Sequence, residues 1–288
     1  MTGGTNYHRP GWLETTIVAA YLAALFFLSL QYYLRLDVEG KGFSRHVQRV
    51  ESVVRGKRES PHPVFHYATY GLSRALNIPV PRAGAMVLGA ANAASAGIII
   101  WILMQSTGIR SLWVLIPASF ATLLSASIQR PFFTRSHIVI GNGAVSVWVN
   151  STSILLRPVV LLSFHFLVQF IDRNRLSNWR QLGTLSAAFA LSTLIKPNYV
   201  LVLAPAVGLF FLARRLLDWK GLAGLVALFF PAGLILLWQY YVTYLKRSIR
   251  QGKRRRTLGF DLFRLWSRKS RVPGGVFTSI VSTCALPL

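Results

Sequence analysis

Two carboxylates placed just after the first apolar segment are the first residues whose type and spacing suggest chemistry. Asp37 and Glu39 stand there in a chain with only 8 Asp and Glu against 32 Lys and Arg. A carboxylate at a membrane surface can act as general base toward an acceptor hydroxyl, and the pair could instead hold a divalent cation through its oxygens. The alternative is a solvated helix end, with the acids paired to neighbouring cations such as Arg35 or Arg45.

Three histidines follow in the next thirty residues. His62 and His66 have the i, i+4 spacing that zinc sites use on helices, with His46 nearby in sequence. However, Pro61 and Pro63 flank His62, so we expect His62 to precede the helix that carries His66. We therefore interpret the three side chains as interfacial or hydrogen-bonding residues and predict no metal site.

Two arginines in the polar stretch 129–152 are candidates for binding an anion. Arg130 and Arg135 carry guanidinium groups, which grip phosphate oxygens bidentately. They could equally contact lipid headgroups. Asn150 begins an Asn-Ser-Thr sequence that formally matches a glycosylation acceptor, although we prefer to see in it the cap of the helix that follows.

Lys196 interrupts apolar sequence and is followed by Pro197. A lysine at that level could meet the phosphate of an anionic lipid. It could also simply extend its ammonium toward water at a tight turn.

The composition places these residues in a membrane protein. Hydrophobic residues make up 53% of the 288 and charged residues 14%, and the apolar residues come in blocks. Blocks of roughly 17–25 apolar residues cross a bilayer as helices. The net charge of +24 then indicates contact with anionic lipids and basic loops that set topology. It does not indicate nucleic acid, because no nucleic-acid-binding motif accompanies it.

The apolar blocks predict an all-α, polytopic transmembrane bundle that forms a single domain over residues 1–288. We expect about seven spans, of which the fifth and sixth are short: 15–33, 83–104, 111–128, 154–171, 182–195, 199–213 and 221–245. A basic loop, 246–271, follows. We expect residues 275–288 to begin a further helix of a truncated chain. Nothing in the sequence fixes an oligomeric state.

The long polar segment 34–82 has a helical rhythm in two places. The first predicted helical face consists of Phe43, His46, Val47, Val50, Val53 and Val54, and the second of Phe65, Ala68, Leu72, Ala75 and Leu76. Basic amphipathic helices of this kind lie in the membrane interface. They could form the floor of a site or serve only as a surface anchor.

The short basic loops around 173–180 and 214–220 favour a cytoplasmic N-terminus. That orientation puts Asp37, Arg130, Arg135 and Lys196 together on the extracytoplasmic side. The same orientation puts the loop 34–82 and the segment 246–271, which carry most of the Lys and Arg, on the extracytoplasmic side. A count of Lys and Arg over all loops would therefore favour the opposite orientation. We give more weight to the short loops, because longer translocated segments obey the rule less strictly.

Four short motifs carry a family resemblance: LDVE at 36–39, PHPVFH at 61–66, SVWVNST at 146–152 and LSTLIKP at 191–197. With this layout the chain resembles the GT-C superfamily of multi-pass membrane glycosyltransferases, and within it uncharacterised bacterial membrane proteins. In that superfamily the first span ends at an acidic residue, and interfacial helices follow in the first extracytoplasmic loop. The resemblance implies an integral protein of the bacterial inner membrane.

The resemblance also implies an activity: transfer of a hexosyl or pentosyl group from a polyprenyl-phosphate donor to an extracytoplasmic acceptor. Asp37 would be the catalytic base, with Glu39 second, and no cofactor beyond a possible divalent cation is implied. The candidate substrate-binding residues are His46, His62, His66, Arg130, Arg135, Asn150 and Lys196.

Two other function classes compete with this one. A transporter or flippase would place ionisable groups near the bilayer midplane, where we found mainly His165. The acids lie at span ends, which favours chemistry at the surface. The third class is a non-catalytic membrane protein.

Overall fold

The computed structural model describes residues 11–39, 42–124, 151–172, 178–216 and 218–245. Within these ranges the chain is helical throughout, apart from turns and caps. The helices are α1 (Trp12–Val38), α2 (Gly42–Val47), α3 (Val50–Val54), α4 (Val64–Ala75), α5 (Val80–Thr107), α6 (Leu112–Leu124), α7 (Ser151–Asp172), α8 (Trp179–Ile195), α9 (Asn198–Ala213) and α10 (Trp219–Tyr240), which continues as a π-helical turn (Tyr241–Leu245).

Four segments are long and apolar enough to cross a bilayer: Trp12–Val38, Val80–Thr107, Ser151–Ile171 and Trp219–Thr243. Two shorter segments, Leu112–Leu123 and Asn198–Ala213, are also apolar. The all-helical class and the apolar helices expected of a membrane protein are thereby confirmed. The count of seven spans stays a prediction.

The long helices run alternately up and down, so the bundle has two ends. We call the end that carries α2, α3 and α4 the loop face. The end of α1 and the starts of α5 and α7 also lie there, because Tyr33, Leu88 and Ile154 share one core with Phe43 and Phe65. Gln239 bonds Pro61 and Thr193 and so places the ends of α8 and α10 at the same face, and α9 begins there after the turn at Lys196-Pro197. The opposite end carries the starts of α1, α6, α8 and α10.

That opposite end is marked by tryptophan, and we call it the tryptophan face. Trp12, Trp113, Trp179 and Trp219 stand at the first or second position of four different helices, and each is between 72% and 91% exposed. Tryptophan is enriched where the bilayer meets water, since its ring is apolar and its N–H needs a polar partner. Four such residues at one end indicate one membrane interface.

Helix α5 packs closely on α1 because its contact stripe is made of small residues. A Cβ built on Gly89 would lie 3.1 Å from both the ring and the carbonyl oxygen of Phe26, which is tighter than an ordinary van der Waals contact, so a larger residue would push the two helices apart. Next to it the buried Asn92 donates hydrogen bonds of 3.2 Å to Ser29 Oγ and Tyr33 Oη. Membrane helices commonly associate in this way, through small residues that allow close packing and polar side chains that form hydrogen bonds between the helices.

A second core joins the last three helices to the end of α7. Phe189 of α8 stacks on Phe229 of α10 with a ring-centroid distance of 5.2 Å, and Ser186 donates a hydrogen bond to the Ala227 carbonyl across the same contact. Helix α8 packs mainly on α10, and only Lys196 and Pro197 separate it from α9. The predicted break between the two short segments 182–195 and 199–213 is therefore present at Lys196-Pro197.

The interfacial helices match the first predicted face and correct the second. Phe43, Val47, Val50 and Val53 are buried as predicted, although a turn at Gln48-Arg49 divides the helix into α2 and α3. Helix α4 covers the segment of the second predicted face, but the side that it buries differs from the predicted side. Its buried side consists of Phe65, His66, Thr69 and Ser73, whereas the predicted Ala75 and Leu76 are exposed.

The rotation of α4 has a physical reason. Small and polar side chains allow α4 to approach α5 closely, as at Gly84, where an added Cβ would lie 3.4 Å from the Thr69 methyl group. A surface that faces lipid tolerates exposed apolar residues. The apolar side of α4 can therefore face lipid instead of the protein.

Helix α1 is longer than the predicted first span. It continues to Val38, with Leu36 buried in the last turn, because neither Gly nor Pro occurs between Gly11 and Gly40. Asp37 accordingly belongs to the last turn of α1 rather than being the first residue beyond it.

Candidate functional site

Cationic and imidazole side chains converge at the loop face. They come from the turn between α8 and α9, from the first third of α7, and from the interfacial segment α2–α4. Their members are Arg157, Lys196, His46, His62 and His66, with the amide of Gln239 beside them. Residues distant in sequence meet here because the start of α7 and the ends of α8 and α10 lie under the interfacial helices.

Lys196 is held at this point by the way α8 ends. Its backbone turns to an extended conformation, with φ −168° and ψ 125°, as expected for a residue that precedes a proline. The ammonium group donates a hydrogen bond to Ser153 Oγ in the first turn of α7. Because the ammonium group is partly buried, its pKa is lowered from the ordinary value of a lysine.

The depth of Lys196 follows from the length of α8. The helix has 17 residues, about 25 Å at 1.5 Å per residue, and begins at Trp179 on the tryptophan face. The hydrocarbon layer of a bilayer is about 30 Å thick. Lys196 therefore lies near the edge of the hydrocarbon layer on the loop-face side, where a cation favours an anionic partner.

A groove leads from Lys196 along the bundle between α7 and α9. Its volume is about 510 Å³, and most of its lining is apolar, with Leu156, Val160 and Leu203 among the walls. Phe164 and Val202, which also line it, are 52% and 71% exposed, so the groove opens sideways toward the lipid. At the loop-face end the lining includes Lys196 and Arg157. An apolar channel thus ends at two cations.

Arg157 was missed by the sequence reasoning, which found few ionisable groups inside the spans. It lies two turns into α7 and within electrostatic range of Tyr33 in α1. The sequence does indicate a functional role for Arg157. An arginine inside a 22-residue apolar helix costs free energy in a membrane, so such residues usually have a function. Its position beside Lys196 gives the groove a second positive charge.

The three predicted histidines form a cluster above Lys196. The rings of His46 and His66 are 6.0 Å apart between centroids, and the ring of Phe65 lies 6.0 Å from that of His46. Lys196 is within electrostatic range of both His46 and His62. As predicted, His62 precedes α4 and His66 lies on it.

Each histidine of the cluster favours the neutral imidazole. Burial is the main cause that lowers the pKa of His66, to about 4, and the nearby His46 adds to the effect, while the His62 carbonyl opposes it. Burial and the Arg49 charge lower the pKa of His46, and burial and the Lys196 charge lower that of His62. At neutral pH the cluster supplies uncharged groups that can donate or accept a hydrogen bond.

Several polar atoms of this region are buried and unbonded within the described residues. They are Nδ1 of His46, Nδ1 of His62, both ring nitrogens of His66, Thr69 Oγ1 and Gln239 Oε1. Gln239 Nε2 does have partners, since it donates to the Pro61 carbonyl at 2.9 Å and the Thr193 carbonyl at 2.7 Å. Gln239 thus ties the loop before α4 to the end of α8.

The two predicted catalytic acids differ in their surroundings. Glu39 forms an ion pair with Arg35, with 3.2 Å between Oε1 and Nε. Asp37 is half-buried and makes neither an ion pair nor a side-chain hydrogen bond with any residue of the described ranges. It lies one helical turn beyond Tyr33 on the same side of α1, and Tyr33 is the residue that Arg157 approaches.

Three other predicted residues, Arg130, Arg135 and Asn150, lie outside the described residues. Helix α7 begins at Ser151, directly after the predicted cap Asn150. Among the residues described, no group of three or more His, Cys, Asp or Glu side chains is arranged to hold a metal ion.

Comparison with models of known protein families, with curated proteins and with solved structures finds no match to this chain.

Proposed function

We propose that this protein is a membrane glycosyltransferase of the GT-C kind, which takes a sugar from a polyprenyl phosphate at the loop face. The observation that carries the proposal is the apolar groove between α7 and α9, which ends at Arg157 and Lys196. A polyprenyl phosphate has the matching shape: an apolar chain with an anionic head. The chain would lie along the groove and the phosphate between the two cations.

The proposed chemistry assigns roles to Asp37, to the two cations of the groove and to the histidine cluster. Asp37 takes the proton of the acceptor hydroxyl as that oxygen bonds to the anomeric carbon of the sugar. The bond from the anomeric carbon to the phosphate oxygen breaks, and polyprenyl phosphate leaves with the bonding electrons. Lys196 and Arg157 stabilise the negative charge that develops on the leaving phosphate. The imidazoles of His46, His62 and His66 would offer hydrogen bonds to sugar hydroxyls.

The proposal includes the orientation and the location. The loop face would be extracytoplasmic and the tryptophan face cytoplasmic, with Arg180, Arg214, Arg215 and Lys220 on the cytoplasmic side, as the bias of short basic loops favours. The membrane would be the inner membrane of a bacterium.

A lipid flippase is the second candidate, and one observation favours it. Arg157 lies inside a membrane-length helix and faces a groove that opens to lipid, as a lipid-moving protein would require. The two functions differ in their product, because a flippase leaves the sugar–phosphate bond intact.

Binding of polyprenyl phosphate to the detergent-solubilised protein tests the groove. Binding is measured by native mass spectrometry. Lys196→Gln and Arg157→Gln should each weaken it roughly tenfold or more, because a hydrogen bond to a charged group contributes about 1.5–3 kcal/mol. Arg157→Lys keeps the charge and should retain much of the binding.

Arg58→Gln is the matched control, since Arg58 is an exposed cation of the loop face outside the groove. Equal binding by the wild type and by both groove variants would overturn the proposal. So would an equal loss in Arg58→Gln, because general electrostatic attraction would then explain the binding.

A further inference from the structure

A second cavity lies at the other end of the bundle, between the end of α7 and the start of α8. Its volume is about 230 Å³, room for roughly seven or eight waters at about 30 Å³ each. Phe166, Phe170 and Leu185 form its apolar wall. It shares no lining residue with the groove of the proposed function, and Arg180, its cation, stands at the opposite end of α8 from Lys196.

The mouth of this cavity contains a cation. Arg180 in the first turn of α8 lines it, and within the described part of the chain its guanidinium has no carboxylate partner. Gln181 lines it too, and its backbone N–H is capped by Asn178 Oδ1 at 3.3 Å. The other amide of the cavity, Gln169, is bonded to His165 Nε2 at 2.8 Å.

The level of the cavity in the membrane is given by Trp179, the residue before Arg180. Trp179 belongs to the ring of exposed tryptophans that marks the tryptophan face, so Arg180 lies at the height of lipid headgroups. The aromatic wall lies deeper, because Phe166 is one turn further into the bundle than Phe170. The polar mouth of the cavity thus lies at the level of the lipid headgroups, and its apolar wall lies deeper in the membrane.

We propose that this cavity binds the headgroup of an anionic phospholipid, with its phosphate on Arg180 and the start of an acyl chain against Phe166, Phe170 and Leu185. Arg180 donates to the phosphate oxygens, and the N-terminus of α8 adds the positive end of its dipole. The site is independent of the proposed glycosyl transfer, since it shares no residue with the groove between α7 and α9.

The arrangement favours a lipid over a free phosphate ion. A free ion needs several donors and gains nothing from an aromatic wall. A phospholipid gains about 0.8 kcal/mol for each CH₂ group that it buries and is already concentrated at this level. Phosphatidylcholine has the same chains, but its cationic choline group lies close to Arg180, so an anionic headgroup fits better.

Lipid retention in nanodiscs tests the site, with phosphatidylglycerol as a minor component in phosphatidylcholine. Native mass spectrometry should show one phosphatidylglycerol retained on the released protein. Arg180→Gln should lower that retention roughly tenfold, because a charge-assisted bond to phosphate is lost, and Arg180→Lys should restore most of it. The control is Arg214→Gln, an exposed arginine of the same face that lies over the Phe210 ring instead. It should retain the lipid like the wild type.

Three results would overturn the inference. One is equal retention of phosphatidylglycerol in the wild type and Arg180→Gln. Another is an equal loss in Arg214→Gln, which would indicate attraction to the whole basic face. The last comes from adding inorganic phosphate to the detergent-solubilised protein: stabilisation that depends on Arg180 and equals that by phosphatidylglycerol would show an ion site instead of a lipid site.

Discussion

The ammonium group of Lys196 donates a hydrogen bond to the hydroxyl of Ser153, 43 residues away in the sequence. The bond fixes the turn between α8 and α9 against the first turn of α7, at the loop-face end of the groove. Both residues line that groove, as does Arg157. This contact therefore sets the position of the charge that the proposal places on the lipid phosphate.

Replacing the serine should weaken lipid binding less than replacing the lysine. Ser153→Ala keeps the charge of Lys196 but removes a hydrogen bond with a net value of about 1 kcal/mol, so we expect roughly fivefold weaker binding of polyprenyl phosphate. Ser186→Ala is the matched control, because that hydroxyl bonds the Ala227 carbonyl in another contact. Equal affinities for wild type and Ser153→Ala would show that the bond does not position the lysine.

Acid should destabilise the protein through the histidine cluster. The folded-state pKa of His66 is lowered to about 4, below the unfolded value near 6.5, and those of His46 and His62 are lowered as well. Between these values the unfolded chain binds more protons, so the free energy of unfolding falls as pH drops from about 7 and levels off below about 4.

The midpoint of thermal unfolding, measured between pH 7.5 and 4.5 in one detergent, checks this expectation. His66→Gln should show a smaller decline across that range, because a glutamine does not titrate. A decline as steep in His66→Gln as in the wild type would assign the acid sensitivity to other groups.

Gln239 should control the mobility of the segment before α4. Gln239→Leu removes the donors of the Pro61 and Thr193 carbonyls, and a buried group left unbonded costs about 1–3 kcal/mol. We expect trypsin to cleave the exposed Arg55, Lys57 and Arg58 faster in this variant than in the wild type. Gln169→Leu, at the opposite end of the bundle, should not alter cleavage at these sites. An unchanged rate in Gln239→Leu would refute the tie between the loop and α8.

Two glycines of α5 offer a matched pair for the contact with α1. Gly89→Ala should lower the unfolding midpoint, because its Cβ would lie 3.1 Å from the backbone oxygen of Phe26 and the two helices would have to separate. Gly97→Ala places its Cβ 3.5 Å from a flexible Leu22 methyl group, an ordinary contact, and should change the midpoint little. Equal unfolding midpoints for Gly89→Ala and Gly97→Ala would contradict the close contact between α1 and α5 at Gly89.

Much of the helical layout was predictable because apolar block length and breakers determine it locally. The turn at Lys196-Pro197 and the bounds of α4 follow from proline positions, and the buried face of α2 and α3 follows from periodicity. The rotation of α4 was not predictable in this way, because a helix at a membrane surface can turn its apolar side to lipid or to protein.

The candidate site was predictable only in part. The three histidines and Lys196 were selected by residue type, and the structure brings them together, while their roles in binding stay predictions. The groove lies between α7 and α9, which are separated in sequence by α8, so no local pattern indicates it. Arg157 was overlooked because the apolar residues around it dominate the hydropathy of its segment.

The central claim is tested most directly by turnover of a donor. Purified protein in liposomes would receive a polyprenyl-phosphate hexose or pentose, with water as the default acceptor, and the release of polyprenyl phosphate would be measured. The account predicts release by the wild type and by Glu39→Gln, and a loss of about a hundredfold or more in Asp37→Asn, the usual contribution of a general base. No release by the wild type from either donor, or equal release by Asp37→Asn, would contradict it.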